Sequence, residues 1–158
     1  MPHRSQQNYS SSETQRRILY VGSDPSLLGF LRSMFGKPKY HVVSCPDRQS
    51  AEMFIRSQIQ YHLFIFDHEM RDRAAFDLAR LVSSLNHREG LPTIVVGSEA
   101  DASLGEVTVA SGGNEYVQKA DHFVAIHKVI KRLLKRASTG SVDTRFESGT
   151  ASRPEAGS

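Results

Sequence analysis

Five short apolar runs punctuate this chain, and each is followed by a segment with helical spacing. The runs are 17–22 (RILYVG), 40–45 (YHVVSC), 62–67 (HLFIFD), 92–97 (PTIVVG) and 115–118 (EYVQ). Their length and their β-branched and aromatic content suit strands. Asp24 and Pro25 open the first intervening helix as N-cap and first helical residue. Leu27, Leu28, Leu31, Met34 and Phe35 share its inner face, and Gly36 and Pro38 end it. Asp47 caps a second helix with Ala51, Phe54 and Ile55 inward. A third covers 74–87, with Phe76, Leu78, Leu81, Val82 and Leu85. The fourth, at 101–111, is the weakest, because Gly105, Val107, Thr108 and Val109 are poor helix formers. The fifth, 121–136, has Phe123, Ile126, Val129, Ile130 and Leu133 as its inner stripe. A strand–helix–strand repeat places consecutive strands parallel, with right-handed crossovers and helices on both faces. The predicted fold class is therefore α/β, a three-layer doubly wound parallel sheet of five strands. The third run is apolar throughout, as a strand covered on both faces requires.

The folded unit has clear compositional edges. Residues 1–16 contain no Leu, Ile, Val or Phe, and 137–158 have only Val142 and Phe146 as bulky apolar groups. Such stretches bury too little surface to offset the entropy of ordering, so 1–16 and 137–158 are expected as disordered tails around one domain at 17–136. A chain of 158 residues accommodates one such domain. The single cysteine, Cys45, excludes an intrachain disulfide and a Cys-rich zinc site. No run approaches the ~18 apolar residues of a membrane helix, and the N-terminus has no signal-peptide core. The expected location is cytoplasmic, with no membrane contact.

In a parallel sheet of this kind, chemistry gathers at the carboxyl ends of the strands. That directs attention to 22–24, 67–72, 97–99 and Lys119. Asp67 ends the third run, where a carboxylate should stand at the sheet edge within reach of water or a cation. By itself it reads equally as a loop or capping aspartate, and Lys119 alone as a solvated lysine. On parallel strands of one sheet they can pair across its top edge.

At these residues the chain resembles the receiver domains of bacterial two-component response regulators, over 17–136. ILYVGSDPSLLGFLRSMF aligns with the family's first strand, acidic cluster and first helix. FIFDHEM aligns with the phosphoacceptor strand, with Met70 three positions past Asp67. LPTIVVGS aligns with the fourth strand, and SGGNEYVQKA with the fifth strand and its lysine turn. The resemblance implies a flavodoxin-like strand order of 2-1-3-4-5. It implies Asp67 as phosphoacceptor, Lys119 as the phosphate-pairing lysine, and Tyr116 with Gly97 and Ser98 at the switch positions. In the family a histidine kinase donates the phosphoryl group and Mg²⁺, held by carboxylates, neutralises its charge.

Several positions depart from that pattern. The paired acidic positions are Gly22 and Ser23, and Asp24, one step on, suits a helix cap. The hydroxyl position is Gly97, with Ser98 the substitute one residue along. The proline after the lysine is Ala120. The remaining metal candidates are Asp67, Asp24 and Glu69, so Mg²⁺ is expected to bind weakly or not at all. Glu69 reads most simply as a solvated loop residue. Arg71 and Arg73 allow two alternatives: replacing the metal electrostatically, or pairing with Asp72 or Glu69.

The functional expectation is a non-enzymatic, stand-alone atypical receiver domain in phosphorelay signalling, a monomer or weak homodimer. It would dock on a histidine kinase or downstream effector, and Asp67 is either phosphorylated or only a vestige in a pseudo-receiver. The expected interaction face is Tyr116, Lys128, Lys131, Arg132 and Lys135. The closing helix carries Lys128, Lys131, Arg132, Lys135 and Arg136 against Asp121, while the whole chain carries only +3. This suits the helix macrodipole or an acidic partner, and nucleic acid is not expected. The seven histidines form no H-x₃-H pair, and His68, beside Asp67, is the one placed to influence the carboxylate. A small nucleotide- or flavin-binding α/β protein is the alternative from another class. VGSDPS, with one glycine, is no phosphate loop.

Overall fold

In the computed structural model the described residues are 15–151, with side chains described for 15–136. Five strands, β1 (Arg16–Val21), β2 (Tyr40–Cys45), β3 (Leu63–Asp67), β4 (Thr93–Gly97) and β5 (Glu115–Gln118), form one parallel sheet in the order 2-1-3-4-5. Five helices alternate with them: α1 (Pro25–Met34), α2 (Arg48–Arg56), α3 (Ala75–Ser84), α4 (Ala102–Ala110) and α5 (Ala120–Ala151). The predicted fold class and strand order are those observed.

Alternate strand residues feed two cores, as the period of two dictates. Ile18, Tyr20, Leu63, Ile65, Ile94 and Val96 pack beneath α1 and α5. Leu19, Val21, Phe64, Phe66 and Val95 pack beneath α2 and α3. Asp24 and Asp47 cap α1 and α2 by accepting from Ser26, Leu27 and Ser50 backbone N–H groups. The helix read at 74–87 ends at Ser84 and passes into a 3₁₀ turn, Asn86–Arg88. Met34, assigned to the inner face of α1, is 46% exposed, because the core stripe is narrower and uses Leu27, Leu31 and Phe35.

The closing helix differs most from expectation. Asp121, His122 and Phe123 have φ of 54°, 55° and 64°, so the right-handed helix proper starts after them. Left-handed backbone costs roughly 1–2 kcal/mol per residue. Phe123 anchors this turn against Phe30, with ring centroids 5.2 Å apart. At the other end the helical backbone runs on to Ala151, past the 136 boundary drawn from composition. Of the two expected tails, 1–14 and 152–158 lie outside the described residues. Among the described residues no helix is long and apolar enough to cross a membrane.

Candidate functional site

Sheet register assembles the site. Tyr20 pairs with Ile65 and Val21 with Phe66, so the next step sets Gly22 beside Asp67. Tyr20, Gly22 and Asp67 therefore share the sheet face beneath α1 and α5. The turn after β5 carries Lys119 to the same edge, where its N–H donates to the Gly97 carbonyl at 2.8 Å.

The Lys119 ammonium is the centre of the cluster. Its Nζ lies 2.9 Å from Asp24 Oδ2, 2.9 Å from Asp67 Oδ2 and 3.1 Å from Glu69 Oε1. Asp67 is only 2% exposed. Of the two alternatives, water or a cation, it is a cation that reaches it: the Lys119 ammonium. Burial pulls the Lys119 pKa down, but its bonds to Asp67 and Asp24 outweigh this and hold it above the ordinary lysine value. Burial raises the Asp24 carboxyl, while Lys119 and the N–H groups of Leu27 and Ser26 lower it further, for a net depression. Glu69 behaves alike: burial opposes the Ser98 N–H and Lys119, and the net shift is downward.

Each carboxylate oxygen in the cluster already has a donor. Asp67 Oδ2 accepts from the Tyr20 hydroxyl at 2.8 Å as well as from Lys119, and Oδ1 accepts from the Glu69 N–H at 3.0 Å. Asp24 Oδ1 accepts from the Ser26 and Leu27 N–H groups, and its Oδ2 from Lys119. Glu69 Oε1 accepts from Lys119 and the Ser98 hydroxyl, and Oε2 from the Ser98 N–H. Reading Glu69 as merely solvated missed this. Two residues after Asp67 on a tight turn, it folds back over the strand ends to meet Lys119 and Ser98.

Tyr20 is the site residue that sequence reasoning passed over, taking it as one more apolar position in a strand. Burial, then the neighbouring Asp67 charge, push its phenol well above the ordinary tyrosine range. The signal for it was positional: a hydroxyl-bearing aromatic two residues before Gly22, on the face that ends at Asp67. A β-carbon on Gly22 would stand 2.5 Å from the Tyr20 oxygen and 2.6 Å from Asp67 Cβ. The Tyr20 ring thus lies along the strand across the place of a side chain at 22.

The remaining predicted positions are dispersed around this centre. Tyr116 is half-buried and donates its hydroxyl to the Glu99 carbonyl at 2.8 Å, above Gly97. His68 packs on Phe76 at 5.1 Å between ring centroids. Arg71 and Arg73 are exposed, and both pairing alternatives go elsewhere: Asp72 accepts from the Arg48 N–H, and Glu69 belongs to Lys119. Lys128, Lys131, Arg132 and Lys135 lie exposed along α5, with Arg132 paired to Glu115 at 2.8 Å. Cys45 is buried at the end of β2, which pushes its thiol up to about 12.

Mg²⁺ demands near-octahedral oxygens, whereas the carboxylates here converge on an ammonium and on N–H and O–H donors. Among the described residues no three His, Cys, Asp or Glu side chains are grouped to hold a metal ion.

No protein-family profile matches the chain. It is 22% identical over 135 residues to the two-component response regulator ARR10 of Arabidopsis thaliana, covering 85% of this chain but only 24% of that protein. Its structure resembles a CheY-like response regulator receiver domain protein from Methanospirillum hungatei, with a TM-score of 0.68 at 20% identity, over 80% of this chain and 98% of that one. It also resembles the chemotaxis response regulator CheY4 of Vibrio cholerae, with a TM-score of 0.67 at 17% identity, over 76% and 99% of the two chains. Strand order, helix placement and these likenesses agree, and the chain has the fold of the response-regulator receiver domains.

Proposed function

We propose that this chain is a receiver-type signalling module that works by docking on a protein partner, without carrying a phosphoryl group on Asp67. One observation carries this: all the carboxylate oxygens of Asp24, Asp67 and Glu69 are engaged by donors of the chain itself, with Lys119 joining the three groups. Three carboxylates against one ammonium leave two negative charges at the strand edge. A phosphoryl group on Asp67 adds more, and the paired acidic positions that would bring a metal to offset it are Gly22 and Ser23. Asp67 Oδ2 is hydrogen-bonded to Tyr20 and ion-paired to Lys119 in a nearly water-free position.

The partner is a histidine kinase or downstream effector of two-component signalling, met in the cytoplasm. The docking face includes Tyr116, Lys128, Lys131, Arg132 and Lys135, and the basic residues along α5 suit an acidic counterpart. The module is not an enzyme, and Mg²⁺ is not its cofactor.

The test is incubation with acetyl phosphate and Mg²⁺, followed by intact-mass measurement of the wild type and of Asp67→Asn. The expected result is no phosphoryl adduct on either. Stoichiometric labelling of the wild type that vanishes in Asp67→Asn would overturn the proposal.

A further inference from the structure

We infer that a cavity at the amino ends of β3 and β4 is a binding site for a small oxyanion, a carboxylate or a phosphate, received by Arg88 and Tyr61. It lies at the end of the sheet opposite Asp67 and Lys119, and it stands independently of the function proposed above.

The cavity encloses about 290 Å³ between the segment that leaves α2 and the turn that precedes β4. Its walls are Gln58, Gln60, Tyr61, His87, Arg88 and Leu91, so no acidic side chain among the described residues lines it. Glu89, next to Arg88 in the chain, is exposed and turned away from the lining. Such a volume is at the low end for ligand sites and suits a small polar molecule.

Arg88 brings a charge with no counter-charge. It is 3% exposed, and among the described residues no carboxylate pairs with it. Its Nε and Nη2 are committed to the carbonyls of Ile55, Phe54 and Ser57, which leaves Nη1 without a hydrogen bond. Carbonyls and aromatic rings offset part of the cost of burying a guanidinium, but they do not neutralise it.

Tyr61 brings a second unmet donor to the same wall. It is buried, its hydroxyl has no hydrogen-bond partner, and its ring lies 5.2 Å from the Arg88 guanidinium carbon. Buried hydroxyls are ordinarily satisfied, so this one marks a place for an acceptor. Arg17, whose Nη1 donates to the Gln60 carbonyl at 2.9 Å, sets another positive charge beside the cavity. An oxyanion, with more than one acceptor oxygen, meets both donors and neutralises the guanidinium. A neutral ligand leaves the charge standing, and a cation is repelled.

The experiment titrates the isotopically labelled full chain with inorganic phosphate and, separately, with succinate, against sodium chloride at matched ionic strength. NMR shifts are read at the Arg88 Nε–H, the Tyr61 amide and the Lys119 amide. The expected result is saturable movement at Arg88 and Tyr61 with at least one of the two anions, none with chloride, and a Tm that rises as that anion is added. Saturation by only one of them identifies the class of oxyanion. Tyr61→Phe keeps the ring and is expected to weaken binding about tenfold, while the anion-free protein loses no stability because the hydroxyl has no partner to lose. Gln58→Glu, at an exposed position, sets a carboxylate at the mouth and is expected to weaken binding about fivefold. Shifts that stay linear, that chloride reproduces, or that gather at Lys119 instead overturn the site, as does an affinity that both variants leave unchanged. Should Tyr61→Phe not fold, Gln58→Glu decides.

Discussion

The Tyr20 hydroxyl and the α-carbon of Gly22 are complementary: the phenol lies where a β-carbon on residue 22 would come within 2.5 Å of it. Neither position is free to change alone. Gly22→Ala pushes into both the Tyr20 oxygen and Asp67 Cβ, and overpacking of this kind costs about 1–3 kcal/mol. Tyr20→Phe removes a hydrogen bond to a charged, buried carboxylate, worth about 1.5–3 kcal/mol. The two changes are expected to be non-additive, Gly22→Ala costing less in the Tyr20→Phe background because one of the clashing atoms is gone. Urea denaturation of the four proteins measures the coupling, and additivity within about 0.5 kcal/mol would count against the pairing.

Lys119 is expected to matter for stability as much as for any chemistry. Lys119→Met leaves Asp67 buried without its cation and strands Asp24 and Glu69 beside it. Breaking a buried ion pair from one side costs about 3–5 kcal/mol. Asp67→Asn removes a charge and keeps a polar group facing Tyr20, so it should cost much less. It should also soften the effect of Lys119→Met when the two are combined. A Lys119→Met loss below about 1 kcal/mol in urea would show the ammonium to be a solvated bystander.

The fold was legible because its signals are periodic. The apolar runs of β3 and β4 and the stripe Ile126, Val129, Ile130, Leu133 can be read in one dimension, and capping residues such as Asp24 and Asp47 mark helix starts. Asp67 and Lys119 were legible too, as charged residues where strands end. Glu69 and Tyr20 were not. Glu69 is set by the path of a turn, and its partners, Ser98 and Lys119, are 29 and 50 residues away. Tyr20 acts through an atom at the tip of a ring whose direction depends on what a neighbouring glycine lacks. The left-handed backbone at Asp121, His122 and Phe123 has no glycine to announce it. It was read as ordinary helix because its composition is that of one.

Arg88 is a structural cation at the end of the 3₁₀ turn that follows α3. It is 3% exposed. Its Nε donates to the Ile55 carbonyl at 3.0 Å, and Nη2 to the carbonyls of Phe54 and Ser57 at 3.3 and 2.9 Å. The guanidinium also lies over the rings of Tyr61 and Phe64, 5.2 and 5.6 Å from their centroids. It thus closes the C-terminus of α2, where cations are favoured. Arg88→Met is expected to destabilise the chain by about 2–3 kcal/mol. Arg88→Lys should recover little of this, since an ammonium does not reproduce the planar fork. Chemical shifts around Lys119, at the opposite end of the sheet, should not move in either variant. A fully stable Arg88→Lys protein would reduce the contribution to one of charge alone.

The pH dependence of stability follows from the same cluster. The Asp24 and Glu69 carboxyls are held below their ordinary values of 3.8 and 4.5, chiefly because Lys119 and N–H donors outweigh their burial. Their contribution is present above those values and disappears as pH falls through the lower folded ones. Lys119 is held above 10.5, so its contribution is complete below 10.5 and disappears as pH rises through the folded value. Two other classes narrow the plateau. His41 and His62 are depressed from 6.5, mainly by burial, so the unfolded chain takes up protons first and stability declines below about 6.5. Cys45 is raised from 9.0 to about 12 by burial, so the unfolded chain loses its proton first and stability declines above about 9. Stability should therefore be flat between about pH 6.5 and 9 and fall on both sides. Glu69→Gln isolates the cluster: relative to wild type its deficit should be constant above about pH 5 and shrink toward pH 3. Urea midpoints from pH 3 to 10 would show this, and a deficit that stays constant down to pH 3 would remove Glu69 from the ion-paired cluster.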